Sequence, residues 1–301
     1  MSHGPLKIGV RGNRLGLNIG QATAEALRAH LGHATVEFVP VADPLRRPPS
    51  AWPGAALERA LAHGEVDLVI QNAKDVSPVL AAGIEVAAVT PRFTPYDVLI
   101  AEEETILDEL PDGAALSAHT PLRRAQLLHY RSDLRIVDFA GSLDDRIHML
   151  ERREVDGLVV SASAVEHLGF QDRVTEIFTT AVLVPAPGQG MSAIQVRAGS
   201  RDLHRAAKHL DDPAARSEFE TERAFLRELK ADPAAPVGAL ATSEGGALRL
   251  EGVIADREGR RLYRDVETGA PGDEEQIGAR LAQRLLLEGA RRVLAAAGTR
   301  K

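Results

Sequence analysis

Short apolar segments alternate with helical ones along the first two thirds of the chain, and this alternation restricts the fold more than any other feature. Leu6 to Val10 reads as a strand stopped by Arg11-Gly12-Asn13. The helix that follows is expected to turn Ala22, Ala26 and Leu27 inward and Thr23, Glu25 and Arg28 outward. Val36 to Val41, Val66 to Ile70 and Val86 to Val89 read as further strands, with a helix around Leu57 to Leu61. The rhythm restarts after Pro95. Strands at Val98 to Ile100, Ala114 to Ser117, Leu134 to Val137 and Gly157 to Val160 alternate with helices at Leu122 to Tyr130, Leu143 to Glu151 and Ala162 to Leu168. Such repetition predicts mainly parallel sheets covered by helices.

A chain of 301 residues is longer than one hydrophobic core usually serves, since cores stop growing at about 250–300 residues. Arg92 to Tyr96 reads as a hinge. The prolines and glycines of Val182 to Gly190 suit an extended return crossing rather than a helix. A third region begins near Asp211-Asp212-Pro213. It carries a helix over Glu218 to Leu229, hairpin strands over Leu248 to Ala255 and Arg261 to Val266, and a long helix over Glu274 to Ala296 interrupted near Gly289. The expected division is domain 1 at 1–94 with 188–212, domain 2 at 95–187, and domain 3 at 213–301. The first two are α/β and the third is a small α+β unit.

Thirty-six basic residues against 43 acidic ones give a net charge of −7, which argues against nucleic acid as a partner. No apolar run approaches the roughly 20 residues of a membrane span. Met1 to Lys7 lacks the basic and apolar regions of a signal peptide, so a cytoplasmic location is expected. Cysteine is absent, which excludes disulfides, thiolate metal sites, thiol nucleophiles and any cofactor tethered through sulfur. His30 and His33 lie three apart on a small-residue stretch that does not read as a metal site. Gly188-Gln189-Gly190 lacks the strand–turn–helix setting of a dinucleotide fingerprint.

The polar groups with chemical potential stand at the ends of strands. Asp75 follows a buried strand at the end where α/β folds bind ligands, as a general acid or base, as a stabiliser of a cation, or simply as a turn residue. Arg11 stands at the end of the first strand, as an anion clamp or a solvated surface group. Thr120 suits an N-cap and Pro121 the first helical position, which puts Arg123 and Arg124 in a first turn where the helix dipole disfavours cations. An anionic ligand would account for them; solvated arginines at a small cost are the alternative. Ser142 with Asp145 reads as a reciprocal cap, with Arg146 in the same turn. Converging arginines and a single acid imply a ligand with several carboxylates or phosphates, and spacing alone names no reaction.

Several motifs in order carry a resemblance over nearly the whole chain. Lys74-Asp75-Val76, Leu122-Arg123-Arg124, Pro185-Ala186-Pro187-Gly188-Gln189-Gly190, Glu222-Arg223-Ala224 and Gly289-Ala290-Arg291 are similar to motifs of the porphobilinogen deaminase (hydroxymethylbilane synthase) family. The resemblance implies two α/β domains like type II periplasmic binding proteins with an active-site cleft between them, a small third domain, a monomeric chain and a role in tetrapyrrole biosynthesis. It also implies that Asp75 is catalytic and that Arg11, Lys74, Arg123, Arg124, Arg146 and Gln189 bind a polycarboxylate pyrrole. In that family a loop cysteine holds a dipyrromethane primer by thioether, and porphobilinogen loses ammonia to give an azafulvenium that the chain end attacks.

The departures from the family cluster on the primer. The attachment position falls near Pro233 in the segment from Lys230 to Gly238, so no covalent dipyrromethane cofactor is expected. A His-Ser pair becomes Gln71-Asn72, and a Gly-Thr-Ser-Ser run becomes Ala118-His119-Thr120-Pro121. An Arg-Gly-Asn becomes Ala140-Gly141-Ser142, and a mobile loop is shortened to Arg46 through Pro53. Three readings follow. One is a deaminating transferase with a non-covalently bound acceptor. Another is a non-catalytic module that binds carboxylated pyrroles. The third is an ordinary synthase whose primer is held without a covalent bond.

Overall fold

The computed structural model describes residues 4–31, 35–42, 51–102, 104–139 and 141–298. His33, positions 46–50 of the shortened loop and Ala140 lie outside them.

The first domain runs through β1 (Leu6–Arg11), α1 (Arg14–Arg28), β2 (Val36–Val41), α2 (Ala55–Ala62), β3 (Leu68–Asn72) and β4 (Ile84–Val89). The second contains β5 (Asp97–Ala101), β6 (Ala115–Ser117), α3 (Pro121–Tyr130), β7 (Arg135–Val137), α4 (Leu143–Glu151), β8 (Gly157–Ser161), α5 (Ala162–Leu168) and β9 (Glu176–Ile177). The chain then returns to the first domain through β10 (Ser192–Arg197) and α6 (Arg201–Lys208). The first sheet has the order β2-β1-β3-β10-β4 and the second β7-β6-β8-β5-β9.

Both sheets are mixed rather than mainly parallel. Strands β1, β2 and β3 pair parallel, but β10 lies antiparallel to β3 and β4. Likewise β6 pairs parallel with β7 and β8, while β5 lies antiparallel to β8 and β9. In each sheet the antiparallel pairs involve a strand next to a crossing between domains, and its direction is set by that crossing rather than by a strand–helix–strand unit.

Helix α1 differs in its inward face. Ala22 and Ala26 are exposed, whereas Ile19, Gly20, Thr23, Ala24 and Leu27 are buried. The buried set follows the helical period through Thr23, which enters the core while the two alanines face out. The two caps form as the local pattern predicts. Thr120 Oγ1 accepts from Arg123 N at 3.2 Å with Pro121 at N1, and Ser142 and Asp145 cap α4 reciprocally.

The third domain is α7 (Pro213–Leu229), β11 (Val237–Glu244), β12 (Ala247–Ala255), β13 (Leu262–Gly269), α8 (Glu274–Leu285) and α9 (Arg291–Gly298). Helix α7 starts earlier than expected, because Asp212 caps it and Pro213 opens it. Strand β11 adds a third member to the hairpin, giving the order β11-β12-β13. The last two helices are separated at Gly289, whose φ of 124° no other residue type adopts readily.

The domains are tied together by side chains. Arg14 on α1 pairs with Asp144 on α4 and donates to Leu168 O at 3.2 Å, and Asn18 donates to His167 O at 2.7 Å. Leu15 packs against the cores of both α/β domains. From the third domain, the fully buried Glu222 pairs with Arg92 at 2.7 Å and accepts from the backbone of Ala241 and of Gly188. Its neighbour Arg223 donates to Ser77 O and Pro78 O at 2.9 and 3.0 Å, just beyond Asp75. The Glu222-Arg223 pair therefore fastens both the return crossing and the segment that follows the candidate acid. Among the described residues no helix is long and apolar enough to cross a membrane.

Candidate active site

Strand β3 ends at Asn72 and passes into a single 3-10 turn, Ala73–Asp75. Ala73 N donates to Met191 O at 2.9 Å, which ties the turn to the return crossing. Gly188 explains the close approach. It has φ 79°, and a Cβ there would lie 2.7 Å from the Ala73 carbonyl carbon and from Lys74 N. The glycine of the crossing is thus required by the turn that presents Lys74 and Asp75.

Asp75 is buried, and its Oδ2 lies 3.0 Å from Arg11 Nη1 at the end of β1. The space between Arg11, Asn13, Leu15, Gln71 and Asp75 is a cavity of only about 20 Å³, on the scale of a single water molecule. All of the residues that line it belong to the first domain.

Lys74 leads to a second group of charges. Its Nζ donates to Gln189 Oε1 at 3.3 Å, and Gln189 Nε2 donates to Asp97 Oδ1 at 2.7 Å and to Pro95 O at 2.8 Å. Asp97 in turn takes both prongs of Arg123, with Nε at 3.0 Å and Nη2 at 2.8 Å. Desolvation and the positive charge of Arg123 push the Lys74 ammonium down to about 8, against the opposing pull of Asp75 and Asp97. Lys74 is half-buried as a side chain, and this lowered affinity for its proton belongs to the ammonium end.

Arg146, in the first turn of α4, is half-buried. Burial, with the charge of Arg123 adding to it, lowers its guanidinium to about 10. Its Nη1 is buried without a hydrogen-bond partner among the described residues. His119 lies within electrostatic reach of Arg146, Arg123 and Arg11, and burial with the first two of these charges keeps its imidazole toward the neutral form. Arg124 stands apart. It donates to Ile136 O at 3.4 Å and lines an adjoining cleft with His119 and Arg257 rather than the cavity at Asp75.

The structure thus brings Arg11, Lys74, Asp75, Arg123 and Gln189 together, sets Arg146 beside them, and places Arg124 next door. Asp97 was not foreseen, although its sequence carries a signal. It is a charged residue opening the apolar strand Asp97-Val98-Leu99-Ile100-Ala101, and a buried carboxylate needs a cationic partner. The segment at the family's attachment position offers no sulfur and no hydroxyl. Ala231 and Ala235 pack against the third-domain core, and Asp232 accepts from Ala234 N at 2.7 Å. Residues 230–236 do not fit a thioether-held dipyrromethane.

Two α/β domains that bring a carboxylate, a lysine and several arginines to their junction define a cleft protein with a cation-rich interior. Residues 6–205 match the family model described as porphobilinogen deaminase, dipyromethane cofactor binding domain, and residues 217–287 match that of the porphobilinogen deaminase C-terminal domain. The chain belongs to the porphobilinogen deaminase family. A curated relative named porphobilinogen deaminase, from Pelotomaculum thermopropionicum, is 39% identical over 79% of this chain and 76% of its own length. Another of that name, from Rubrobacter xylanophilus, is 37% identical over 97% of both chains. Among solved structures, the periplasmic aliphatic sulphonate binding protein SsuA from Escherichia coli aligns with a TM-score of 0.41 and 14% identity, over 76% of this chain and 71% of that one.

Proposed function

We propose that the protein is a deaminating transferase of tetrapyrrole chemistry that acts on porphobilinogen or a related aminomethylpyrrole acid and uses an acceptor that is not covalently held. The observation that carries this reading is the pairing of Asp75 with Arg11 beside the Lys74–Gln189–Asp97–Arg123 chain, in a family member without a thiol. The substrate's carboxylate arms would draw on Arg11, Arg146 and Lys74.

In the first step the bond between the methylene carbon and the ammonium nitrogen breaks. Ammonia leaves and the pyrrole becomes a cationic azafulvenium. A carboxylate at Asp75, released from Arg11 as a substrate carboxylate takes that guanidinium, stabilises the developing cation. In the second step the free α-carbon of the acceptor pyrrole attacks the methylene, a carbon–carbon bond forms, and the acceptor carbon gives up its proton. The sum is two pyrroles in, one methylene-linked product and one ammonium ion out.

Purified protein incubated with porphobilinogen is expected to release ammonia, and Asp75→Ala is expected to lose at least about a hundredfold of that rate, as removal of an electrostatic stabiliser does. Equal release by both proteins would overturn the assignment. A second reading, a non-catalytic binding module, draws support from the ion pair in which Arg11 already neutralises Asp75. Saturable binding of porphobilinogen with no ammonia released would favour it.

A further inference from the structure

Gln71, near the end of β3, lines the cavity at Asp75 and is only 4% exposed. Its amide is held by a chain of buried polar groups. Glu58 Oε1, on α2, accepts from Ser77 N at 3.4 Å and from Gln195 Nε2 at 3.3 Å. Gln195 Oε1, on β10, is thereby left to accept from Gln71 Nε2 at 2.6 Å. This order of donors leaves over Gln71 Oε1, which is buried without a hydrogen-bond partner among the described residues. Gly54 lies against the same amide. A Cβ there would come 2.4 Å from Gln71 Oε1 and 2.6 Å from Asp75 O, to which Gly54 N donates at 2.9 Å.

A buried amide oxygen is rarely left unpaired, so Gln71 Oε1 calls for a ligand that brings a hydrogen-bond donor. The cavity, at about 20 Å³, has room for one atom the size of a water oxygen, and an amine nitrogen is of that size. Among its other polar walls, Asn13 Oδ1 already accepts from Gly16 N at 2.7 Å, which leaves Gln71 and Asp75 as the acceptors to be served. A primary ammonium carries three N–H donors and serves both, whereas a hydroxyl carries one. Arg11 stands in the same walls, and its charge favours a nitrogen that gives up its own.

We propose that this cavity receives the nitrogen of the substrate's aminomethyl group, with Gln71 Oε1 accepting one of its N–H bonds. The proposal rests on the transferase reading above and adds Gln71 as the residue that selects an amine as the leaving group. When the carbon–nitrogen bond breaks, its electron pair stays on nitrogen, the positive charge passes into the pyrrole, and neutral ammonia remains against Gln71. An amide oxygen suits this change, because it accepts an N–H bond without the full charge that would hold the nitrogen as ammonium.

The test uses the full chain and two benzene-ring probes, each with an acetate and a propionate arm. One carries an aminomethyl group and the other a methyl group, and neither forms an azafulvenium because neither has a ring nitrogen. In titration calorimetry, wild type is expected to prefer the aminomethyl probe by about tenfold or more. Gln71→Met is expected to bind the methyl probe as wild type does and to lose most of that preference. With porphobilinogen, Gln71→Met is expected to release ammonia about tenfold or more slowly. No preference in wild type, no binding of either probe, or an unchanged preference in Gln71→Met overturns the proposal. A measurement on wild type alone covers a Gln71→Met that does not fold: excess ammonium chloride, against sodium chloride at equal ionic strength, should weaken the aminomethyl probe and not the methyl probe. Equal effects of the two salts overturn the proposal. Ammonia release unaffected by Asp75→Ala would instead remove the transferase reading, and the two probes would still decide whether the cavity takes an amine.

Discussion

Arg123 and Asp97 form a two-pronged ion pair in the interior, at 3.0 and 2.8 Å, with 7% and 2% of their surfaces exposed. The first arginine of the Arg123-Arg124 pair is therefore engaged by protein before any ligand arrives. It acts on the cleft mainly through its charge on Lys74, Arg146 and His119. Removal of one partner of a buried pair leaves an uncompensated charge and costs about 3–5 kcal/mol. Asp97→Ala is expected to lose that much in urea unfolding with little change in slope. A loss under about 1 kcal/mol, the value of a surface pair, would contradict this description.

Gly188 supports the site from behind. With φ 79° and no space for a Cβ against Ala73 and Lys74, Gly188→Ala must shift either the crossing or the 73–75 turn. The expected result is about 1–3 kcal/mol of lost stability, with a fall in ammonia release larger than that of a matched control, Gly83→Ala. Gly83 also has positive φ, but nothing lies within 4 Å of its missing Cβ. Equal effects at the two glycines would show that backbone strain alone, and not the contact with the turn, is responsible.

Lys74 gives a pH signature. Its folded value of about 8 lies below the usual 10.5, so the unfolded chain holds this proton more tightly. Lys74 therefore opposes folding below pH 8, and the opposition fades as pH rises from about 8 toward 10.5. Stability measured across this window should rise for wild type by a step that Lys74→Met lacks. Over the same window, affinity for a dicarboxylate pyrrole should fall as the ammonium loses its charge, again without such a step in Lys74→Met. Identical profiles for the two proteins would exclude a titrating Lys74.

Opening of the cleft must part α1 from domain 2. Arg14 and Asp144 are partly exposed, at 54% and 34% of their side-chain surfaces, so their coupling is expected at about 0.2–1 kcal/mol and to weaken with salt. A double-mutant cycle on Arg14→Ala and Asp144→Ala measures it. Both variants should raise the association rate of a pyrrole ligand by severalfold, because this contact holds α1 of the first domain against α4 of the second. An unchanged association rate would mean that the ligand enters without this contact opening.

Features that depend on near neighbours in the chain were legible in the sequence. Thr120 and Ser142 cap helices through groups three residues away, and Gly289 interrupts the last helix through its own backbone. The inward face of α1 was misread at Ala22 and Ala26, since several small residues compete for burial and the neighbouring strands decide between them. The strand directions of β5 and β10 were not legible, because each is set by a crossing between domains.

The same division runs through the site. The amino-acid sequence by itself determined the chemical inventory: one Lys-Asp pair at a strand end, arginines at helix starts, and no sulfur to tether a primer. Tertiary structure alone decided which of those charges are already matched. Arg123 meets an acid 26 residues away, Gln189 meets the same acid from 92 residues away, and Arg11 meets Asp75 across 64. Local hydrogen bonds follow from adjacency along the backbone, whereas pairs of buried charges follow from the order in which the strands assemble and from the water expelled as the two domains close.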